Sequence, residues 1–229
     1  MKRVRVWDLP VRAFHWALVA AVAVAFVAAQ IGGNAMAWHG RAGLAALGLI
    51  VFRIVWGFVG TTYARFASFV RGPATIRAYL RGEWQGLGHN PLGALSVLAL
   101  LTLVGSQAAT GLFANDDIAY QGFLYPLVGA DISDWLTAIH KLFEPALIIL
   151  VLAHVGAIAY YARVKKHNLL VPMLSGWTET SGAIAPARGS GGGWLAFVVA
   201  LAFAAGVVYA ASGALLPPPP SVPAETPTW

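Results

Sequence analysis

Five long apolar stretches constrain this chain more than any other feature of its sequence. A helix needs about 20 mainly apolar residues to cross the hydrocarbon core of a bilayer, which is roughly 30 Å thick. The stretches that meet this requirement are Phe14–Ile31, His39–Gly60, Pro91–Phe113, Leu136–Tyr161 and Trp194–Leu216. We therefore predict an all-α integral membrane protein that crosses the bilayer five times.

The composition agrees with a membrane protein and excludes several kinds of site. Of the 229 residues, 59% are hydrophobic and only 10% are charged, which is too little polar surface for a soluble globule. The chain has no cysteine, so disulfides, cysteine-ligated iron–sulfur clusters, thiolate zinc sites and covalently attached c-type haem are excluded. The net charge of +6 does not indicate nucleic-acid binding, because the basic residues flank the apolar stretches.

Charge predicts which side of the membrane each connecting segment faces. Basic residues predominate at the N-terminus and in the segments after the second and fourth stretches, so these segments should be cytoplasmic. The segment between the third and fourth stretches has no Lys or Arg and contains Asp116, Asp117, Asp131 and Asp134, which places it on the outer side. We expect the first stretch to be retained as a helix, because it offers only a poor signal-peptide cleavage site.

The chain divides into four parts by composition. Residues 1–177 form the predicted four-helix membrane domain, and residues 178–193, rich in Gly, Ser, Thr and Ala, read as a flexible linker. Residues 194–216 would then be a loosely attached fifth transmembrane helix. The Pro-rich residues 217–229 cannot continue a helix and should be an extended tail.

Four histidines are the candidate functional residues, because ionisable groups inside a bilayer are costly. His140 and His154 are 14 residues apart, so on one helix they face the same way within about 40° and lie roughly 21 Å apart. The predicted topology puts His39 at the depth of His140, and His15 at the depth of His154. Two bis-histidine pairs of this kind suit two haems held for electron transfer in a helical bundle.

Other polar residues near these depths have more than one interpretation. Arg53 shares the face of His39 at the depth of the cytoplasmic pair, where a guanidinium suits a haem propionate or a polar entrance, and Arg41 could do the same for the outer pair. His89 is either a residue of the loop at a helix start or a neighbour of the cytoplasmic haem or of a quinone. His167 reads as solvated. A single membrane histidine can also be a polar contact between helices.

The sequence also resembles a known family. The matching strings are VWDLPVRAFHW at Val6–Trp16, HGRAGL at His39–Leu44, FRIVWGFVGTTYARFASFVRGP at Phe52–Pro73, GHNPLGALSVLALL at Gly88–Leu101 and HKLFEPALIILVLAHV at His140–Val155. Together they resemble the bacterial cytochrome b561 family, which includes the b-type cytochrome subunits of nickel–iron hydrogenases. The resemblance covers about Val6 to Trp177.

This resemblance implies a cofactor set and an activity. His15, His39, His140 and His154 would be the axial ligands of two non-covalent haems b in a four-helix bundle with one additional C-terminal helix. The chain would relay electrons between the quinone pool and a periplasmic dehydrogenase, hydrogenase or c-type cytochrome, in the bacterial inner membrane with a cytoplasmic N-terminus and a periplasmic C-terminus. We expect an electron-transfer subunit rather than a stand-alone enzyme.

Two other functions stay open from the sequence. One is a self-contained superoxide:quinone oxidoreductase, for which the acidic outer segment is unfavourable because superoxide is an anion. The other is a transporter or assembly protein that uses histidines as proton relays, which would not require histidines paired by depth.

Overall fold

The structure is a computed structural model that describes residues 2–84, 86–180 and 191–217. Over these residues it is mostly helical, with helices α1 Leu9–Ile31, α2 Met36–Val59, α3 Phe66–Phe69, α4 Pro73–Leu80, α5 Pro91–Gly111, α6 Ala130–Arg163, α7 Leu170–Ser175 and α8 Trp194–Ala211. Helices α1, α2, α5, α6 and α8 are long and apolar enough to cross a membrane. The predicted all-α membrane bundle is therefore confirmed.

Two of the spanning helices begin at capped sequences just before their apolar runs. The side chain of Asp8 accepts a hydrogen bond of 2.7 Å from the backbone N–H of Val11 at the start of α1. Asn90 does the same for Gly93 at the start of α5, also at 2.7 Å. Each cap is followed by a proline in the first turn, where its missing N–H costs nothing. For this reason α1 begins at Leu9, five residues before the predicted start.

Helix α6 is longer than predicted. Its 34 residues make a helix of about 51 Å, which exceeds the hydrocarbon thickness, so its ends extend beyond the apolar core. The helix starts at Ala130, before the apolar run, and Asp131 in its first turn complements the positive end of the helix dipole. His140 therefore lies well inside α6 instead of close to its start.

The helices pack as two antiparallel hairpins. In the first hairpin α1 lies against α2, and Asp8 meets Trp56 at one end while Ala25 meets His39 toward the other. In the second, α5 lies against α6, and α2 contacts α5 to join the hairpins. None of the residues in the apolar window of α6 is buried, so the face of α6 away from α5 is open within the described part of the chain.

Helix α8 packs directly on α2. Ala200 is fully buried, Ala204 is nearly so, and both belong to the same core cluster as Trp56. The absence of a side chain at Gly48 allows the close approach of Val208, because a Cβ atom there would overlap it. Small residues commonly permit such approach between membrane helices. The attachment that we expected to be loose is thus a packed interface with α2.

A two-stranded sheet joins the chain start to the segment after α7. Strand β1 Lys2–Arg5 pairs antiparallel with β2 Trp177–Thr180, so three residues at the start of the predicted linker 178–193 are in a strand. The rest of this segment up to residue 190, and the tail from residue 218, lie outside the described residues. At the end of the predicted linker, the backbone N–H of Gly192 donates to the carbonyl of Val59 at 3.2 Å.

Candidate functional site

His39 of α2 and His140 of α6 face each other on one side of the bundle. Their ring centres are 5.9 Å apart and the ring planes are nearly perpendicular, at 81°. The ring of Tyr120, from the loop between α5 and α6, lies edge-on to His39 at 6.5 Å. The Tyr120 hydroxyl sits against Gly40, where a Cβ atom would collide with it, so this loop lies close over the His39–His140 pair.

Backbone carbonyls fix the orientation of both rings in this pair. His39 Nδ1 is 2.9 Å from the carbonyl oxygen of Ala25, and His140 Nδ1 is 2.9 Å from that of Gln107 and 3.2 Å from Thr110 Oγ1. A carbonyl only accepts, so each Nδ1 must carry the proton and donate it. In a neutral imidazole this leaves the Nε2 lone pair free to bind a metal, which is the usual arrangement of a metal-ligating histidine.

His15 and His154 lie on the side of the bundle that carries the N-terminus. His15 is in the second turn of α1 and His154 is toward the C-terminal end of α6, and the two rings are close enough for an electrostatic interaction. Nδ1 of His15 is buried without a hydrogen-bond partner in the described parts of the chain. Nδ1 of His154 is 3.4 Å from Ser96 Oγ. Each of the four membrane histidines thus lies near the histidine that was predicted to be at the same depth.

The set of donor side chains fits a metal that is carried in a cofactor, because such a cofactor supplies most of the ligands itself. Within residues 2–84, 86–180 and 191–217 there is no group of three or more His, Cys, Asp or Glu side chains that could hold a bare metal ion. Two facing imidazoles with oriented rings instead suit the axial positions of a haem, whose porphyrin provides the other four nitrogens. The absence of a side chain at Gly111 lets the His140 ring lie directly against α5, because a Cβ atom there would come within 2.9 Å of the ring.

Two cations adjoin the His39–His140 pair. Arg41 follows His39 by two residues, and its guanidinium carbon is 5.4 Å from the Trp38 ring centre. Lys141 follows His140 directly, and its charge acts on that imidazole. Both are exposed and suited to bind carboxylates such as haem propionates. The sequence interpretation named Arg41 and missed Lys141, although its position next to a candidate ligand was a usable signal.

Arg53 is buried on the N-terminal side of the bundle, with only 2% of its surface exposed. Its guanidinium carbon is 4.9 Å from the Phe66 ring centre and 5.9 Å from that of Phe69, which are cation–π distances. Asp8 is close enough for its charge to act on Arg53. The Nη1 atom of Arg53 has no hydrogen-bond partner among the described residues.

His89 belongs to the same N-terminal-side cluster. Its ring lies between Trp7, at 4.5 Å, and Phe69, at 4.4 Å, and its Nδ1 is buried without a partner in the described chain. Burial, and then the charge of Arg53, lower the pKa of His89 to about 3, so it is neutral at physiological pH. His167, by contrast, is exposed.

A cavity of about 480 Å³ adjoins His89 in the loop between α2 and α5. Its lining includes Ser68, Phe69, Arg71, Thr75, Trp84 and His89, and no acidic residue lines it among the described residues. The sequence interpretation left the role of His89 open and did not identify this cavity, because its walls come from short segments without a shared pattern.

Comparison with known protein families finds a match to the family described as prokaryotic cytochrome b561, over residues 6–176. The matched residues include the four membrane histidines, Arg41 and Arg53, whereas α8 lies outside them. No curated protein and no solved structure matches the chain significantly.

Proposed function

Because the chain belongs to the prokaryotic cytochrome b561 family, we propose that it relays electrons through the bilayer by two haems b. Family membership makes it a membrane b-type cytochrome that transfers electrons. The proposal adds that there are two haems, one at each histidine pair. It also adds that the chain exchanges electrons with the quinone pool and with a periplasmic redox partner, which is a dehydrogenase, a hydrogenase or a c-type cytochrome.

The facing rings of His39 and His140, 5.9 Å apart, carry this proposal. When bound, a haem b supplies a one-electron iron couple. The chain would hold it through the Nε2 atoms that the two Nδ1 hydrogen bonds leave free. Because His39 and His140 would both hold the iron, the protein would leave no place on it for a substrate, which favours electron transfer over chemistry at the metal.

The second pair extends the route across the membrane. His140 and His154 share α6 and are separated by roughly 21 Å along its axis, so the two sites would lie near opposite surfaces. Electrons could then pass from one side of the bilayer to the other without a mobile carrier.

Charge and contacts support a cytoplasmic N-terminus in the inner membrane. Pairing of β1 with β2, and a hydrogen bond from Arg12 to the carbonyl of Leu174, hold the chain start beside the segment after α6. Arg163 ends α6, Lys165 and Lys166 lie in the segment after it, and a basic loop also follows α2. Basic segments of this kind stay in the cytoplasm. His39, His140 and Tyr120 would then be on the periplasmic side.

The loop over the His39–His140 pair weighs against the superoxide:quinone alternative. Slight burial acts to raise the pKa of Asp116, but hydrogen bonds from the backbone N–H groups of Tyr120, Ala119 and Ile118 outweigh it and hold the pKa below its ordinary value. Asp116 is therefore ionised, and Asp117, Asp131 and Asp134 add to its charge. Four carboxylates around this loop, against the two cations Arg41 and Lys141 beside the pair, favour a basic partner over superoxide.

Haem analysis of the purified protein tests the proposal. We expect two haems b per chain by pyridine haemochrome, both extractable with acid acetone, since no cysteine can attach them. Both should be reduced by a quinol in lipid nanodiscs. A content of one haem or none in a folded, membrane-inserted protein would overturn the two-site proposal.

A further inference from the structure

The loop cavity between α2 and α5 lies at the end of a spanning helix. Pro91, the first residue of α5, is part of its lining, so the cavity begins where the apolar run of that helix begins. Tyr63 and Trp84 belong to the same lining. Tyrosine and tryptophan side chains are typical of the boundary between hydrocarbon and water. The cavity is therefore at the depth of the polar head groups of membrane lipids.

The charge at this cavity is positive. Its lining includes Arg71 and, among the described lining residues, no Asp or Glu. The loop between α2 and α5 has four arginines and one acidic residue, Glu83, whose carboxylate is 3.7 Å from Arg81 at the surface. Asp8 contacts Thr61 next to the lining, but both of its carboxylate oxygens accept hydrogen bonds from protein groups. The cavity therefore favours an anionic ligand.

Two side chains of the wall can donate hydrogen bonds to an anion. Nη2 of Arg71 donates to the carbonyl of Ser68 at 2.7 Å, which holds the guanidinium at the wall and uses only one of its N–H groups. Thr75, in the first turn of α4, adds a hydroxyl. This turn has no side-chain cap, and the positive end of a helix attracts negative charge. A guanidinium matches the paired oxygens of a phosphate group.

His89 adds a polar group without a partner to the same cavity. It belongs to the lining, and its Nδ1 is buried with no hydrogen-bond partner in the described chain. Buried polar atoms are nearly always hydrogen-bonded, so an unpaired one in a cavity wall indicates that a ligand or water completes the site.

The apolar surroundings favour a lipid over free phosphate. Phe69, Leu87 and Pro91 line the cavity beside its polar groups. Val70, just before α4, and Leu80, at its end, are 42% and 69% exposed. In a membrane these two side chains would contact the acyl chains of a lipid whose head group occupies the cavity. The volume of about 480 Å³ is within the usual range of ligand pockets, roughly 300–1,000 Å³.

We propose that this loop cavity binds the phosphate head group of an anionic phospholipid, with Arg71 as the residue that contacts the phosphate and Thr75 as a second donor. In the orientation proposed above, the lipid belongs to the cytoplasmic leaflet, where basic pockets bind anionic head groups. Its lining comes from α3, α4 and the start of α5, so a bound head group would hold these three elements together.

Native mass spectrometry of the full-length protein in mild detergent tests the site. The added ligands are phosphatidylglycerol, the zwitterionic phosphatidylethanolamine and inorganic phosphate. Arg71→Gln removes the charge, Arg71→Lys keeps it, and Thr75→Trp fills the cavity from α4. Arg77→Gln is the matched control, because Arg77 is an exposed arginine of α4 outside the described lining. Haem per chain is measured for every variant to detect folding defects.

We expect the wild type to bind phosphatidylglycerol more tightly than phosphatidylethanolamine. Arg71→Gln and Thr75→Trp should raise the Kd for phosphatidylglycerol by about tenfold, which corresponds to about 1.4 kcal/mol, without loss of haem. Arg71→Lys should recover part of the affinity, and Arg77→Gln should bind like the wild type. A phosphatidylglycerol with a photoreactive group near its phosphate should label residues 61–91 of the wild type and of Arg77→Gln, and label Arg71→Gln less.

Several results would overturn the site. Equal weakening by Arg71→Gln and Arg77→Gln would show only a general attraction of the basic loop for anionic lipid. Equal affinity for the two lipids, or labelling elsewhere in the chain, would show that the cavity holds no anionic head group. Displacement of phosphatidylglycerol by inorganic phosphate would assign the cavity to free phosphate. Loss of a haem from Arg71→Gln but not from Arg71→Lys would assign the guanidinium to a haem propionate. The two-haem proposal is tested separately, by the haem content of the wild type.

Discussion

The two histidine pairs offer the same ligand atoms but differ in what orients them. In the His39–His140 pair each Nδ1 donates to a backbone carbonyl at 2.9 Å. In the other pair, Nδ1 of His15 has no partner in the described chain, and Nδ1 of His154 has only the Ser96 hydroxyl at 3.4 Å. Since such hydrogen bonds orient a ligand and raise its basicity, two bis-histidine sites in one bundle can differ in affinity and potential without any difference in ligands.

The surroundings of the pairs differ in charge as well. The His39–His140 pair has Arg41 and Lys141 next to its ligands and an acidic loop above it. On the other side, Arg53 is buried, and Asp8 and His89 are partly buried, next to aromatic rings. The charged groups next to the His39–His140 pair are therefore exposed to water, whereas Arg53 on the other side is enclosed by protein.

Replacement of single histidines should have the largest effect, because it should remove one haem site and leave the other. We expect His39→Ala and His140→Ala to lose the same haem, and His15→Ala and His154→Ala to lose the other, because each haem needs both axial ligands. Haem content should fall from two per chain to one, with two different residual spectra, whereas His167→Ala retains both. If His39→Ala and His154→Ala removed the same redox component, the pairing would be wrong.

Acid should destabilise the N-terminal side of the bundle through His89. Its folded-state pKa of about 3 lies below the ordinary value of 6.5, so the unfolded chain binds the proton more readily. The stability that neutral His89 provides is present above pH 6.5 and is lost as the pH falls toward 3, by at most about 1.4 kcal/mol per pH unit. Unfolding in mixed micelles between pH 7 and 5 measures this loss.

His89→Gln provides the matched comparison, because Gln does not titrate in this range. Its unfolding free energy should fall less between pH 7 and 5 than that of the wild type. If the unfolding free energies of the two proteins fell equally with pH, protonation of His89 would not be the cause of the acid sensitivity. The N-terminal side would then have no shown reason to be more sensitive to acid than the other side.

Redox titration measures how far the midpoint potentials of the two sites differ. Hydrogen bonds from Nδ1–H to carbonyls make an imidazole a stronger donor and favour ferric iron. The haem at His39–His140 should therefore have the lower midpoint potential, by a difference on the order of 59 mV, which corresponds to a tenfold ratio for one electron. The alanine variants assign each titration wave to a pair. The opposite order of potentials would show that charge or solvent exposure outweighs the outer hydrogen bonds.

Hydropathy and helical spacing were sufficient to predict the spanning helices. They were not sufficient for features that depend on contacts between distant segments. Strand β1 pairs with β2 more than 170 positions later, and neither strand has a pattern that indicates its partner. The start of α1 at Leu9 depends on the cap at Asp8, which lies before the apolar run.

In the candidate site, too, some features follow from helical spacing and others depend on contacts between distant segments. Depth along helices suggested which histidines lie together, because α-helical rise is regular. The surroundings of His89 come from Trp7, before α1, and Phe69 of α3, which are far apart in sequence. Likewise, no sequence signal could show that the carbonyls of Ala25 and Gln107 face His39 and His140, since every residue has a carbonyl.

Deletion of α8 should have the smallest effect on the haem sites. The helix contributes no histidine and no charged residue, and it packs on α2 through Ala200 and Ala204. We expect a chain that ends after Thr180, which keeps β2, to retain both haems and both midpoint potentials. Its thermal stability should fall, because Trp56 and the core around it lose the contact with Phe197.

The deletion also tests whether α8 affects the two pairs unequally. Phe197 contacts Phe52 and Trp56, which flank Arg53 toward the C-terminal end of α2, and not the start of α2 where His39 lies. Any disturbance should thus appear first at the His15–His154 wave in a redox titration. Loss of the His39–His140 haem from a truncated protein that still inserts would show that α8 supports the whole bundle, and its treatment as an addition to a four-helix haem-binding bundle would have to be abandoned.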